Sequence, residues 1–456
     1  MKNDIIPLQH EFIKISDNDK FDHKAICCFA ATGFFLDNDT YYTNQKVLRP
    51  ACEFENGVEK PYFKWHYSPR NISFNQAVDE FADLFEKISQ EQIGNKKVIL
   101  PLSGGLDSRT LAACLKGSEN VFAYSYKFAN TFFFDETKYG KQIAQKMRWN
   151  FAGYEIPNGY LWNKIEALAK INKCYSEFTN PRQMAIAAQF PEMGDIFLLG
   201  HGGDLFFDTM GVNPNISYSE RLTEICKRII RKGGLELGIY LWKAFGLSGN
   251  FETYLKEQID NLLNSIYIEN ANSHLRAFKS MFYVNRWSTT NLSVFSHYHP
   301  VCVPYFDNRM CEFICTVPEE HLADRKIQIE YIKRKTPELA KIPWQSYDPC
   351  NLYNYPKYKN LHNQAIVNYR KVARKAVEIA IGKVNTERNW EIQFLGKEND
   401  ENLKKWLFDN EKFNNFVPKE LITHFYTKFA EGNHQQKVWY AHPLSMLLTL
   451  SLFANK

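Results

Sequence analysis

Residues 98–109 read Val-Ile-Leu-Pro-Leu-Ser-Gly-Gly-Leu-Asp-Ser-Arg, and no other stretch constrains the fold of this chain as tightly. The apolar run 98–102, ending at Leu102, reads as a buried strand. It stops at Ser103-Gly104-Gly105 and, past Leu106 and Asp107, resumes as an amphipathic helix predicted over 108–116, starting at Ser108. Strand, glycine turn and helix in that order present backbone N–H groups and a helix N-terminus to a phosphate. The glycines let the backbone approach the anion with angles that a Cβ would forbid. Asp107 adds a carboxylate where a Mg2+ bridging phosphates would sit. The stretch is not a P-loop, because no Gly-Lys-Ser/Thr follows four spacers. A plain Gly-Ser turn before a helix is the other reading. The agreement of strand, loop and helix favours the phosphate site.

From residue 96 the pattern alternates strands with helices. Strands are expected at 121–127, 151–156 and 196–199. Helices are expected at 135–148 and near 161–173 and 181–190. That alternation predicts an α/β fold, a parallel sheet with helices on its faces. After about 215 strand signals nearly vanish and the chain reads as helical. Residues 1–75 read as β-rich and turn-rich, with strands expected at 26–29, 33–36, 40–43 and 62–67. Ser73 then caps a helix at 74–90 with an apolar face of Ala77, Phe81, Leu84 and Ile88. The expected division is therefore 1–75 and 76–456, the latter with an α/β core at about 95–215 and a helical remainder at 216–456.

Bulk properties narrow the function classes. The net charge of +5 over 456 residues gives no case for nucleic acid. The basic stretch 227–232 reads as a solvated helix face. Ten cysteines are scattered without Cys-x-x-Cys or zinc-like spacing, as expected of reduced thiols in a cytoplasmic protein. Met1-Lys2-Asn3-Asp4 begins no signal peptide, and the apolar tail from Met446 is too short to span a bilayer.

Ligands of open parallel sheets bind at the carboxyl ends of the strands. The first strand delivers the 103–108 loop. The second delivers Tyr126, where an adenine or ribose would lie. The fourth delivers Gly200-His201-Gly202-Gly203-Asp204. Asp107 and Asp204 together make the carboxylate pair that a divalent ion bound to pyrophosphate needs. Taken alone, Asp204 would read as a helix cap after a glycine turn.

The loop resembles the Ser-Gly-Gly-x-Asp-Ser loop of the ATP pyrophosphatases. Four segments in order resemble the synthetase domain of asparagine synthetase B and its relatives, which include β-lactam synthetase and the lasso-peptide cyclases. They are Ser-Gly-Gly-Leu-Asp-Ser at 103–108, Phe134-Asp135-Glu136-Thr137-Lys138-Tyr139, Leu198-Leu199-Gly200-His201-Gly202-Gly203-Asp204, and Val303-Pro304-Tyr305-Phe306-Asp307-Asn308-Arg309 with Glu312-Phe313. The tail from Trp439 to Phe453 is similar to the family's closing helix. The resemblance implies an adenine nucleotide α-hydrolase-like fold. It implies an AMP-forming ligase that uses ATP and Mg2+ to adenylate an acceptor carboxylate and then form an amide with ammonia or an amine. It also implies that 303–313 packs behind the ATP site. Leu102, Ser103, Gly104, Gly105, Leu106, Asp107, Ser108, Tyr126, Gly200, Gly202 and Gly203 are the expected nucleotide contacts, with Asp107 and Asp204 as metal ligands and catalytic groups.

Several departures qualify the resemblance. The family's glutaminase begins with a nucleophilic cysteine, whereas Lys2 stands here, the stretch before the synthetase is too short for that domain, and 26–64 resembles only its final part. Cys27 and Cys28, inside an expected strand, are poor nucleophiles. Nitrogen is therefore expected as ammonia, from a separate amidotransferase, or as an amine on the acceptor, in a tailoring or polysaccharide pathway. His201 and Leu205 replace two family acids, and Arg109 follows the loop. Residues 342–349 carry Ile-Pro-Trp and Asp-Pro where a basic residue and glycine are expected, leaving Lys326, Lys333 and Lys335 as weak substitutes for the catalytic lysine of β-lactam synthetase. His297 and His299 are the candidate bases. The competing classes are an impaired partner subunit that kept the fold, and another ATP pyrophosphatase chemistry such as thiolation. The missing Cys-x-x-Cys and RNA-binding extension argue against the latter.

Overall fold

The computed structural model describes residues 11–129, 135–358 and 388–455, with 369, 372, 373 and 375–380 between the last two. Lys2 and Phe134, both used above, lie outside the described residues.

Two antiparallel strand pairs come first: β1 (Phe12–Lys14) with β2 (Gln45–Val47), and the hairpin of β3 (Cys52–Glu55) with β4 (Val58–Pro61). The central sheet holds β5 (Val98–Pro101), β6 (Val121–Phe128), β7 (Asn150–Ile156), β8 (Ile196–Leu198) and β9 (Val301–Cys302). Its order is β7-β6-β5-β8-β9, and every neighbouring pair is parallel. Val98, Ile99 and Leu100 of β5 are all buried, as a parallel strand covered on both faces requires.

The order fixes the position of the site. From β5 the chain builds outward through β6 to β7, then crosses back and places β8 on the other side of β5. The connections leaving β5 and β8 therefore diverge, opening a crevice between the carboxyl ends of these two strands. The 103–108 loop and the Gly200–Asp204 turn are the segments that leave them.

Four helices frame this crevice or the N-terminal part: α1 (His23–Thr32), α2 (Phe74–Ile93), α3 (Leu106–Cys114) and α4 (Thr137–Met147). Ser73 caps α2, its Oγ accepting from the Gln76 N–H at 3.2 Å. The helix Lys326–Lys335 packs against both α2 and α3. At the end of the chain, His434–Ala454 is buried on all sides over its second half, so it carries no amphipathic stripe.

The N-terminal expectation needs correction. Cys27 and Cys28 lie in α1, not in a strand. Every residue from Ala25 to Thr32 is buried, against helices that include Gly234–Ala244 and His434–Ala454. A segment buried all round has no polar face, so its periodicity does not separate helix from strand. Its ends are marked more clearly: Asp22 Oδ1 accepts from the Ala25 N–H at 2.9 Å, and Gly33 closes the helix at φ 81°. The strands expected at 33–36 and 62–67 do not form, and Tyr42 makes only an isolated bridge to Phe21. No disulfide joins any of the ten cysteines among the described residues. Among the described residues no helix is long and apolar enough to cross a membrane.

Candidate active site

The glycine loop is cross-braced by its own serines. Ser108 Oγ accepts from the Ser103 N–H at 3.1 Å and lies 3.0 Å from Ser103 Oγ. The Gly105 N–H donates to Ser103 Oγ at 3.2 Å. Helix α3 starts at Leu106, two residues earlier than expected, because Gly105 occupies the cap in extended conformation (φ −79°, ψ 176°). Asp107 and Ser108 therefore stand in the first helical turn, where the helix dipole favours an anion.

Two glycines of the β8 turn allow the crevice to close on Asp107. A Cβ on Gly203 would lie 2.1 Å from Asp107 Oδ1, and one on Gly200 would lie 2.9 Å from Asp107 Cβ. Gly202 sits at φ 93°, a left-handed conformation, with the Phe306 ring packed on it. Asp204, exposed, follows in the short helix Gly203–Phe206. The structure thus brings Asp107, Gly200, Gly202, Gly203 and Asp204 together at the switch point. His201, beside them, turns to solvent. Leu102 extends the ladder, its N–H donating to Tyr124 O at 2.7 Å. Tyr126 lies two residues farther along β6 under the Arg182 guanidinium, 5.8 Å from the ring centre.

Asp107 is half-buried and pulled two ways. Burial pushes its carboxyl above the usual carboxylate value; the Arg325 guanidinium opposes that shift, and the neighbouring Asp204 charge reinforces it. Arg325 forms an ion pair with Asp107 Oδ1, and Gln328 Nε2 donates to the same oxygen at 3.3 Å. Gln328 also donates to the Tyr305 hydroxyl at 2.6 Å and accepts from Arg325 Nε at 2.8 Å. Tyr305 belongs to the 303–313 segment, so that segment does stand behind Asp107. Asp307 caps the helix Asn308–Thr316, accepting from the Arg309 N–H at 3.0 Å, and Met310, Phe313 and Ile314 are buried.

Arg325 is the residue that the sequence reasoning missed. Lys326, Lys333 and Lys335 are engaged elsewhere: with Glu320 O at 3.3 Å, over the Tyr353 ring at 5.4 Å, and with Glu86 at 2.8 Å. His299 is spent on the Phe190 carbonyl at 2.9 Å.

Arg109 and the unusual 342–349 segment explain each other. The Arg109 side chain is fully buried and donates to Ile342 O and Pro343 O, each at 2.9 Å, and to Leu339 O and Gly104 O at 3.3 and 3.4 Å. Burial lowers its pKa to about 10. The Gln345 N–H also donates to Gly104 O at 3.2 Å, and Gln345 Nε2 reaches Glu136 Oε1 at 2.8 Å. A Cβ on Gly104 would lie 2.6 Å from Gln345 Cβ. The segment that departs from the family pattern is thus a wall tied to the loop by a buried guanidinium.

On the Asp204 side, residues Lys279–Ser288 form a π-helical stretch, a rare geometry that recurs at functional sites. It stacks Tyr283 on Trp287 with ring centres 5.3 Å apart. Lys279 Nζ and the Arg231 guanidinium carbon both lie over the Tyr283 ring, at 5.5 and 5.9 Å. Burial lowers the Lys279 pKa, the Asp204 charge opposes that, and Arg228 and Arg231 add to it.

Fold and loop define an α/β domain of the pyrophosphate-loop type, with its glycine loop at the topological switch point. The family model for asparagine synthase matches residues 80–335, and the chain belongs to that family, whose members use ATP to form amides. No curated protein sequence matches it. Among solved structures, the NMN synthetase from Francisella tularensis is 14% identical, over 46% of this chain and 93% of that one. Its TM-score of 0.23 is too low to carry anything to this chain.

Proposed function

We propose that the chain is an AMP-forming ligase that adenylates an acceptor carboxylate and passes the acyl group to ammonia or an amine. The carrying observation is the closure of the Gly200–Asp204 turn onto Asp107, at the first turn of α3 and beside the serine-braced loop. The β- and γ-phosphates of ATP lie on the loop and the α3 N-terminus. The α-phosphorus then faces the open side, toward Asp204. An acceptor oxygen attacks the α-phosphorus, the bond from that phosphorus to the bridging oxygen breaks, and pyrophosphate leaves. The amine nitrogen next attacks the acyl carbon, AMP departs with the bond electrons, and the amine loses a proton.

Asp107 and Asp204 suit Mg2+, because both offer hard carboxylate oxygens and their mutual repulsion, with burial, already raises the Asp107 carboxyl. Bound there, Mg2+ would supply charge neutralisation of the leaving pyrophosphate. The loop amides hold the leaving group in place, so catalysis is positioning and electrostatics. Lys279 and Arg231, stacked on Tyr283 beside Asp204, are the cations placed to draw in an acceptor carboxylate.

Calorimetry with ATP and Mg2+ tests this reading. The account expects one site in the micromolar-to-millimolar range. Asp107→Ala should weaken it at least about tenfold, the scale for a lost charge-assisted contact. Equal affinity in the variant would remove Asp107 from the site.

A further inference from the structure

We propose that Arg325 is an exchangeable counter-ion. It holds Asp107 while the site is free of metal and passes to the oxygens of the pyrophosphate group when Mg2+ takes Asp107. This inference rests on reading the crevice as a magnesium–pyrophosphate site.

Three observations carry it. The first is how Asp107 is used. Arg325 and Gln328 both bind Oδ1, and Oδ2 has no hydrogen-bond partner among the described residues. Arginine–carboxylate pairs frequently engage both carboxylate oxygens as a fork. This one leaves an oxygen free for a metal.

The second is the backbone that presents the arginine. Asp324 and Arg325 lie in the left-handed region one after the other, at φ 60° and 59°, immediately before the helix Lys326–Lys335. Consecutive left-handed residues that are not glycine are disfavoured, and such strain concentrates at binding and switching sites. The Asp324 N–H is pinned to Asp208 Oδ1 at 3.0 Å, which holds the bend and aims the Arg325 side chain at α3.

The third is the charge arithmetic. The Asp204 charge acts on Asp107, and one guanidinium, that of Arg325, pairs with Asp107. A divalent cation on Asp107 would repel that guanidinium at contact distance. The pyrophosphate arriving with the metal offers paired oxygens in the geometry that suits a guanidinium fork. Arg325 is 14% exposed and Asp107 28% exposed, so both can be reached from the crevice. Because the lysines of the following helix are engaged elsewhere, Arg325 is the cation that helix turns toward the loop.

The test exploits two effects of opposite sign. Binding of Mn2+, a paramagnetic stand-in for Mg2+, is followed by its EPR signal on the full chain without nucleotide. Binding of inorganic pyrophosphate with excess Mg2+ is followed by calorimetry. Arg325→Ala should bind Mn2+ several-fold more tightly, because the competitor for Asp107 is gone. It should bind magnesium pyrophosphate about tenfold more weakly, the scale for a lost charged hydrogen bond. Arg325→Lys, which keeps the charge without the fork, should recover part of the pyrophosphate affinity. A misfolded variant would lose both affinities together, so it cannot mimic this pattern. Unchanged Mn2+ affinity, weaker Mn2+ affinity, or unchanged pyrophosphate affinity in Arg325→Ala would each overturn the exchange. A wild-type chain that binds neither ATP nor pyrophosphate would instead overturn the proposed function.

Discussion

Two arginine–carboxylate pairs, joined through Asp208, are built differently. Arg276 and Glu319 meet as a fork, Nη1 to Oε1 at 2.6 Å and Nη2 to Oε2 at 2.8 Å, with side chains only 2% and 11% exposed. Ser273 Oγ adds a further hydrogen bond to Oε1, and Arg276 Nη2 also reaches Asp208 O at 2.9 Å. Both carboxylate oxygens are used, so no acceptor is left for a ligand, and the one group of the pair without a partner among the described residues, Arg276 Nε, is a buried donor. Arg325 and Asp107 meet through one oxygen, on strained backbone, at the mouth of a crevice. Asp208 links the two, accepting from Arg276 at its carbonyl and from Asp324 at its carboxylate. The closed pair fixes the frame, and the open pair is left accessible at the crevice. Sharing a residue type, they differ in how many acceptor sites are left over.

The largest contrast should come from breaking each pair in turn. Glu319→Gln leaves a buried guanidinium uncompensated and should cost about 3–5 kcal/mol of unfolding free energy in urea titrations. Arg325→Gly removes the open pair but relieves a left-handed residue, so stability should stay within about 1 kcal/mol of wild type. Equal losses would erase the distinction between lock and counter-ion.

Asp204 sharpens the comparison from the other side. It stands exposed at a strand end, so Asp204→Asn should leave stability within about 0.5 kcal/mol. It should nevertheless slow pyrophosphate release by about a hundredfold, the scale for losing one preorganised electrostatic contact. Full activity in that variant would remove Asp204 from the reaction.

A third arginine extends the contrast to a cation that no carboxylate pairs among the described residues. Arg231 lies beside His442, whose Nε2–H donates to Ala30 O at 3.0 Å. Burial, and then the Arg231 charge, lower the His442 pKa to about 3 from 6.5. The folded state thus refuses a proton that the unfolded chain accepts. The resulting penalty is absent above pH 6.5 and grows as pH falls toward 3, by at most about 1.4 kcal/mol per pH unit. His442→Gln should therefore lose less stability than wild type between pH 7 and pH 5. Parallel urea midpoints for the two proteins would contradict the shift.

The site was legible in the sequence where local chemistry announced it. Val98 to Leu102 followed by Ser103-Gly104-Gly105 fixed strand and loop, and Gly200-His201-Gly202-Gly203 marked the second turn, because close backbone approach leaves glycines behind. Ser73 and Asp307 marked their helices by capping. Three features carried no such mark. Val301–Cys302 is a strand of two residues, too short to show a period and cut off by Pro304. The Cys27-Cys28 helix is apolar all round. Arg325 reaches a residue 218 positions away in sequence through a left-handed bend that carries Asp and Arg where glycine would have signalled it.

The bond broken in ATP tests the central claim most directly. During turnover with a panel of carboxylic acids and ammonium, 31P NMR distinguishes attack at the α-phosphorus from attack at the γ-phosphorus. The account predicts AMP and pyrophosphate in equal amounts, because the 103–108 loop and the α3 N-terminus hold the β- and γ-phosphates as the leaving group. ADP and phosphate as the products would contradict it.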